Sequence, residues 1–160
     1  MIQEITCVFI SHIHADHHLG LIRVLTQRKK ILEESNITHF KPLLIIGPSI
    51  LKMWLDECND FEDLGCYNFV DSQTLLSMEH RNEILSQYFF SFFLSFSFSL
   101  FFKKSVIQIQ IIRFMNDLLL KDFLPVEVIH CQNSYGIVIE HQNSWKIVYV
   151  YFYLFIYFFF

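Results

Sequence analysis

Residues Ser11 to Leu21 read SHIHADHHLGL, so four histidines and one aspartate, His12, His14, Asp16, His17 and His18, stand in seven consecutive positions directly behind an apolar run. A neutral imidazole is the commonest ligand for zinc and similar divalent ions. A carboxylate is a hard anionic ligand that also suits a second ion. The preceding segment Ile5 to Ile10, ITCVFI, is short, apolar and partly β-branched, which predicts a buried strand whose end delivers the ligands. In extended chain, residues two apart project to one side, so His12, His14 and Asp16 are expected to converge on one point while His17 faces elsewhere. One short segment can therefore serve two metals. A histidine-rich tract that binds metals nonspecifically lacks the strand, the aspartate and the glycine in register. His18 is expected to pack or hydrogen-bond behind the ligands rather than to be one.

A chain of 160 residues suits one domain with a real core. Its phenylalanines are unevenly placed: eight of 19 fall between Tyr88 and Phe102, and five more between Phe152 and Phe160. The interrupting tract YFFSFFLSFSFSLFF is followed by Lys103 and Lys104, and the ending tract is IVYVYFYLFIYFFF. Both are apolar enough for lipid, yet shorter than the about 20 residues of a spanning helix. They also suit a buried or aggregation-prone β segment. The favoured reading is genetic. Phe, Ser, Leu and Tyr are encoded by runs of T with some C and A, so translated pyrimidine-rich noncoding sequence has this composition. A spliced transcript retaining both tracts would contradict that hypothesis.

The formal net charge of −4 advertises no nucleic-acid surface. Phosphate contacts normally come from Lys and Arg, and the main basic run, Arg28, Lys29 and Lys30, reads as the solvated end of a helix. A polyanionic substrate would then be held by the metals or by parts outside this chain. Cys7, Cys58, Cys66 and Cys131 show no CxxC pair. With no signal peptide at Met1, they predict reduced, intracellular thiols. Cys131 stands out because it adjoins His130, although a small buried strand residue is the expected role.

Along the chain, Leu21, Val24, Leu25, Arg28, Ile31 and Leu32 predict an amphipathic helix ending near Glu34. Leu43 to Ile46 is a short strand stopped by Gly47–Pro48, and Ser49 can cap a helix carrying Ile50, Leu51, Trp54, Leu55 and Cys58. Tyr67 to Val70 reads as a strand, followed by a polar helix from Ser72 to Leu85. Asn116 to Leu120 predicts a short helix leading to Pro125. Val126 to Ile129 predicts a strand ending at His130, and Tyr135 to Glu140 with Trp145 to Tyr149 predicts a hairpin joined by HQNS. His130 thus becomes a second strand-end ligand candidate, before a Cys-Gln-Asn-Ser-Tyr-Gly turn. His39, His80 and His141 lie in polar contexts and read as solvated.

SHIHADHHLGL at a strand end resembles the first metal motif of the metallo-β-lactamase superfamily, which implies an α/β fold, here a partial αββα sandwich. The stretches PLLIIGPSILKMWLDE, LPVEVIHCQNSYGIVIEH and WKIVY resemble those of the ribonuclease Z family, in the carboxy-terminal half of its long form. The resemblance covers roughly Ile2 to Leu85 and Leu118 to Tyr149. It implies His12, His14 and His130 on one zinc, Asp16 and His17 on a second, and Asp16 as the catalytic group that orients or deprotonates the attacking water. His18 and Ser134 would support the ligands. The implied reaction removes the 3′ trailer from precursor tRNA, the partner by resemblance, and the implied compartment of a full-length parent is nucleus or mitochondrion. The family is often dimeric or pseudo-dimeric.

The chain departs from the pattern after WKIVY. There the family continues with a Ser-Gly-Asp turn whose aspartate bridges both metals, and later supplies a final histidine ligand and a Glu–His acid/base pair. Here the chain runs VYFYLFIYFFF. The expectation is therefore an incomplete domain over residues 1–149, interrupted at about 88–104, with an aromatic tail at 150–160. It is expected to hold one zinc or fewer and not to turn over. The alternatives are a noncatalytic zinc-binding or membrane-associated fragment, or another hydrolase of the superfamily such as a glyoxalase II or a lactamase-like enzyme.

Overall fold

A computed structural model describes residues 2–35, 41–77 and 114–150, together with the backbone of 153–158. The Phe/Ser tract at about 88–104, His39 and His80 lie outside the described residues. From the amino end, strand β1 (Cys7–Phe9) leads into the short helix α1 (Ala15–His18) and the long helix α2 (Gly20–Glu34). Strand β2 (Leu43–Gly47), helix α3 (Ser49–Phe61) and strand β3 (Tyr67–Asp71) follow. The three strands form a parallel sheet in the order β1-β2-β3, so each crossover carries a helix, as parallel pairing requires.

All five residues of β2 are buried, the signature of a central strand covered on both faces. Its side chains alternate between two cores. Leu43 and Ile45 pack with Ile10, Leu21, Leu25, Leu51, Leu55 and Leu64 under the helices. Leu44 and Ile46 instead join Val70, Phe114, Leu120, Phe123 and Ile137. The second group comes largely from a second, antiparallel sheet of β4 (Leu120–Glu127), β5 (Tyr135–His141), β6 (Trp145–Val150) and β7 (Tyr153–Phe158), in that order. Helices, first sheet and second sheet are thus stacked layers of the αββα plan, each buried β2 side chain contributing about 2 kcal/mol of apolar burial.

Four sequence expectations change here. The strand expected from Val126 begins at Leu120 and runs through Pro125, which pairs with Ile137 and is fully buried. Proline is tolerated because β4 is the edge of its sheet, where a missing N–H need not face a partner strand. Ser49 is the first residue of α3 rather than its cap; extended Pro48 precedes the helix and no side chain caps it. The basic run lies inside α2, and of its three side chains Lys30 alone is exposed. Arg28 is buried and its guanidinium donates to the carbonyls of Ile2 and Lys41, at 3.2 and 3.1 Å, while Lys29 pairs with Asp63 at 2.9 Å. His141 is half-buried, accepting a hydrogen bond from the Asn143 N–H and stacking on Trp145.

Within the ending tract, the backbone of β7 pairs antiparallel with β6, from Trp145 opposite Phe158 to Val150 opposite Tyr153. No described helix is long and apolar enough to cross a membrane.

Candidate metal centre

The centre forms where the carboxyl end of β1 meets the turn between β4 and β5. Beyond β1 the Ile10 N–H still bonds to the Ile46 carbonyl at 2.8 Å, and the Ser11 carbonyl accepts from the Tyr135 N–H at 2.9 Å. This second bond ties the two sheets together at the edge that carries the histidines. On the far side, β4 gives way to a turn in which Asn133 is left-handed at φ 59°, a conformation Asn tolerates better than most residues. That turn is closed by the Val128 N–H on the Ser134 carbonyl at 3.1 Å and by the Cys131 N–H on Ser134 Oγ at 3.1 Å.

Three imidazoles meet between these elements. His12 Nε2 lies 3.1 Å from His14 Nδ1, and His130 Nε2 lies 3.3 Å from the same atom. A tetrahedral zinc with Zn–N bonds of about 2.0–2.1 Å holds its nitrogens about 3.3–3.4 Å apart, so the two separations match edges of such a tetrahedron. His12 is almost fully buried, and its other nitrogen, Nδ1, lies 2.9 Å from Ser11 Oγ, which turns Nε2 toward the centre. Burial first, then the neighbouring His17, His14 and His130, push the His12 imidazole down to about 4. It is therefore neutral near pH 7, the state a metal ligand requires. The donor set fits zinc.

His14, His12 and His130 come together, and Cys131 joins them: one donor atom from each lies within 4.8 Å of the others. Cys131 was expected as a buried strand residue; it is instead half-buried in the turn after β4. The only signal for it in the sequence was its place next to His130.

Asp16 and His17 stand beside this group rather than in it. The alternation expected of extended chain ends at His14, which is itself extended (φ −82°, ψ 142°) and begins α1, so Asp16 and His17 project from a helical turn. Contrary to that alternation, the His17 ring lies 4.3 Å from the His12 ring, centroid to centroid. Asp16 is three-quarters exposed, with its carboxylate 3.5 Å from His17 Nε2. Both border a cleft of about 440 Å³ walled by Phe9, Ile137, Ile147 and Tyr149.

His18 turns the other way. It is buried, its ring meets Trp54 edge-on at 4.6 Å, and its Nδ1 donates to the His14 carbonyl at 2.8 Å. His18→Ala is expected to lower zinc affinity about 10–100-fold while leaving the stoichiometry unchanged, because it frees the backbone that aims His14. Competition with a chromophoric chelator measures this; an unchanged affinity would remove His18 from the centre.

Ser134, buried in the turn, holds Cys131 through both its N–H and its Sγ, the latter at 2.9 Å.

No family model matches the chain. It is similar to "tRNase Z TRZ3, mitochondrial" of Arabidopsis thaliana, 32% identical over 173 residues, covering 92% of this chain and 19% of that protein. It is also similar to human "Zinc phosphodiesterase ELAC protein 2", 26% identical over 153 residues, covering 93% of this chain and 16% of that protein. Among solved structures, the long form RNase Z from yeast matches with a TM-score of 0.62 at 20% identity, over 92% of this chain and 20% of that one. The chain spans about a fifth of the length of the relatives it matches.

Proposed function

We propose that this chain, which belongs to the ribonuclease Z family of the metallo-β-lactamase superfamily, carries part of the zinc centre of an endoribonuclease that removes the 3′ trailer from precursor tRNA. The observation that supports this most is the pair of nitrogen separations, 3.1 and 3.3 Å, joining His12, His14 and His130 at the end of β1. These three would hold one zinc; Asp16 and His17 would offer two ligands to a second. Zinc at such a site supplies Lewis acidity and lowers the pKa of a bound water.

The residues themselves divide the work. His12, backed by Ser11, and His14, backed by His18, hold fixed donor directions. Asp16, exposed at the mouth of the cleft, would accept a proton from water and orient it toward a phosphodiester. With the net charge at −4, affinity for tRNA is proposed to come from the metal site and from other parts of a longer parent. Residues 1–149 are proposed as an incomplete domain, since the bridging aspartate of the family pattern is replaced by the aromatic run that forms β7. A mitochondrial or nuclear setting is proposed for the parent; the Arabidopsis relative carries the word mitochondrial in its name.

Two arms of one experiment test this. The 160-residue chain with zinc is expected to release no trailer from precursor tRNA. Residues 2–85 and 118–149 grafted into the corresponding segments of the Arabidopsis relative are expected to support cleavage within about tenfold of that parent, a loss of no more than about 1.4 kcal/mol. A folded, zinc-loaded graft that leaves precursor tRNA intact sinks the nuclease reading, and trailer release by the chain alone sinks the claim that it is incomplete.

A further inference from the structure

Three nitrogens leave one vertex of a tetrahedron open, and Cys131 is the side chain that reaches toward it. We infer that Cys131 Sγ takes this fourth position, so that the chain holds one zinc in a closed shell of three histidines and one thiolate. This rests on the three-histidine site proposed above and deepens it.

Proximity is the first support, since all four donor atoms lie within 4.8 Å of one another. Zn–S and Zn–N bonds of about 2.3 and 2.0–2.1 Å imply N···S edges of about 3.6 Å, so closing the shell needs a movement of about 1 Å. A side-chain rotation in a turn supplies that.

The second support is the hydrogen bonding of the sulfur. Ser134 Oγ accepts the Cys131 N–H at 3.1 Å, which leaves its hydroxyl proton to be donated to Sγ, 2.9 Å away. A buried hydroxyl donating to sulfur fixes the direction of the side chain, the role that supporting hydrogen bonds play around metals. The rival for the fourth position, Asp16, is largely exposed and turned to His17.

The chemistry balances simply. The Cys131 thiol proton goes to solvent as the Zn–S bond forms, and no electron transfer is involved. A closed shell is the mark of a structural zinc, whereas hydrolysis needs a position open to water. The inference therefore gives a reason for this chain, in which the aromatic run stands where the family pattern has its bridging aspartate, to retain metal and not to turn over; in the graft, where the parent supplies that aspartate, the carboxylate displaces the thiolate and the position opens to water.

Cobalt(II) titration of the 160-residue chain separates the possibilities. Bound cobalt is expected to show intense visible bands of a tetrahedral site together with a near-ultraviolet thiolate-to-cobalt charge-transfer band. In Cys131→Ser the charge-transfer band is expected to vanish while visible bands persist, and zinc affinity to fall at least about tenfold. Cys66→Ser, which removes an exposed thiol, is expected to change neither. Cobalt bound without charge transfer overturns the thiolate and leaves the three-histidine site standing. A charge-transfer band that survives in Cys131→Ser also overturns it, and failure to bind cobalt at all overturns both readings.

Discussion

His12→Ala leaves a chain that no longer gains stability from zinc. Of the clustered histidines, His12 is the one almost wholly withdrawn from water, and its ring lies 4.6, 4.3 and 4.7 Å from those of His14, His17 and His130. It is the hub of the cluster. Structural zinc sites of four ligands bind with about 10–16 kcal/mol at pH 7, so one ligand represents about 3–4 kcal/mol, or about 100–1000-fold in affinity. Zinc that binds only the folded chain raises its stability by RT ln(1 + [Zn]/Kd). The wild-type chain is therefore expected to unfold at higher denaturant with zinc than with chelator, and His12→Ala to show almost no such difference. The zinc-free state should suffer less, because losing a buried imidazole also removes the cost of burying its polar atoms. A zinc-dependent rise in the variant equal to that of the wild type would place the centre elsewhere.

Much of this architecture is legible in the sequence, because it follows from periodicity. The apolar run at Leu43 to Ile46 reads directly as a central strand, and it is buried along its whole length. The helix behind the motif ends at Glu34, where its pattern fades. Local rules fail where tertiary context decides. Pro125 reads as a strand breaker, yet an edge position makes it harmless. Arg28 reads as a solvated charge, yet carbonyls from the amino end and from the approach to β2 draw it in. At the centre itself, the sequence shows which residue types can bind metal but not where extended chain gives way to helix. A boundary at His14 rather than beyond Asp16 changes which side chains face one another. Cys131 is the extreme case, since the packing of one sheet on the other brings it to His12 and His14, more than a hundred residues away in sequence.

Gly136→Ala is expected to destabilise the chain by about 2–3 kcal/mol, although it adds a single methyl group. A Cβ at this position would lie 2.7 Å from the carbonyl oxygen of Tyr149, with Val128 Cγ1 and Val126 Cγ2 at 3.2 and 3.3 Å. The nearest atom is backbone, so no side-chain rotation relieves the contact. Relief requires β5 and β6 to separate where Ile137 pairs with Tyr149, or β4 to yield where Val126 pairs with Gly136. Either movement pulls on Tyr135, whose N–H holds the Ser11 carbonyl next to His12, and on Ser134, which holds Cys131. The urea midpoint in chelator is expected to fall, and zinc affinity to fall with it. An unchanged midpoint would show that the sheet accommodates a methyl group against the Tyr149 carbonyl without cost. Gly136 supplies no donor atom, so a parallel loss of zinc would show that sheet pairing, and not the histidine-rich segment alone, sets the positions of the ligands.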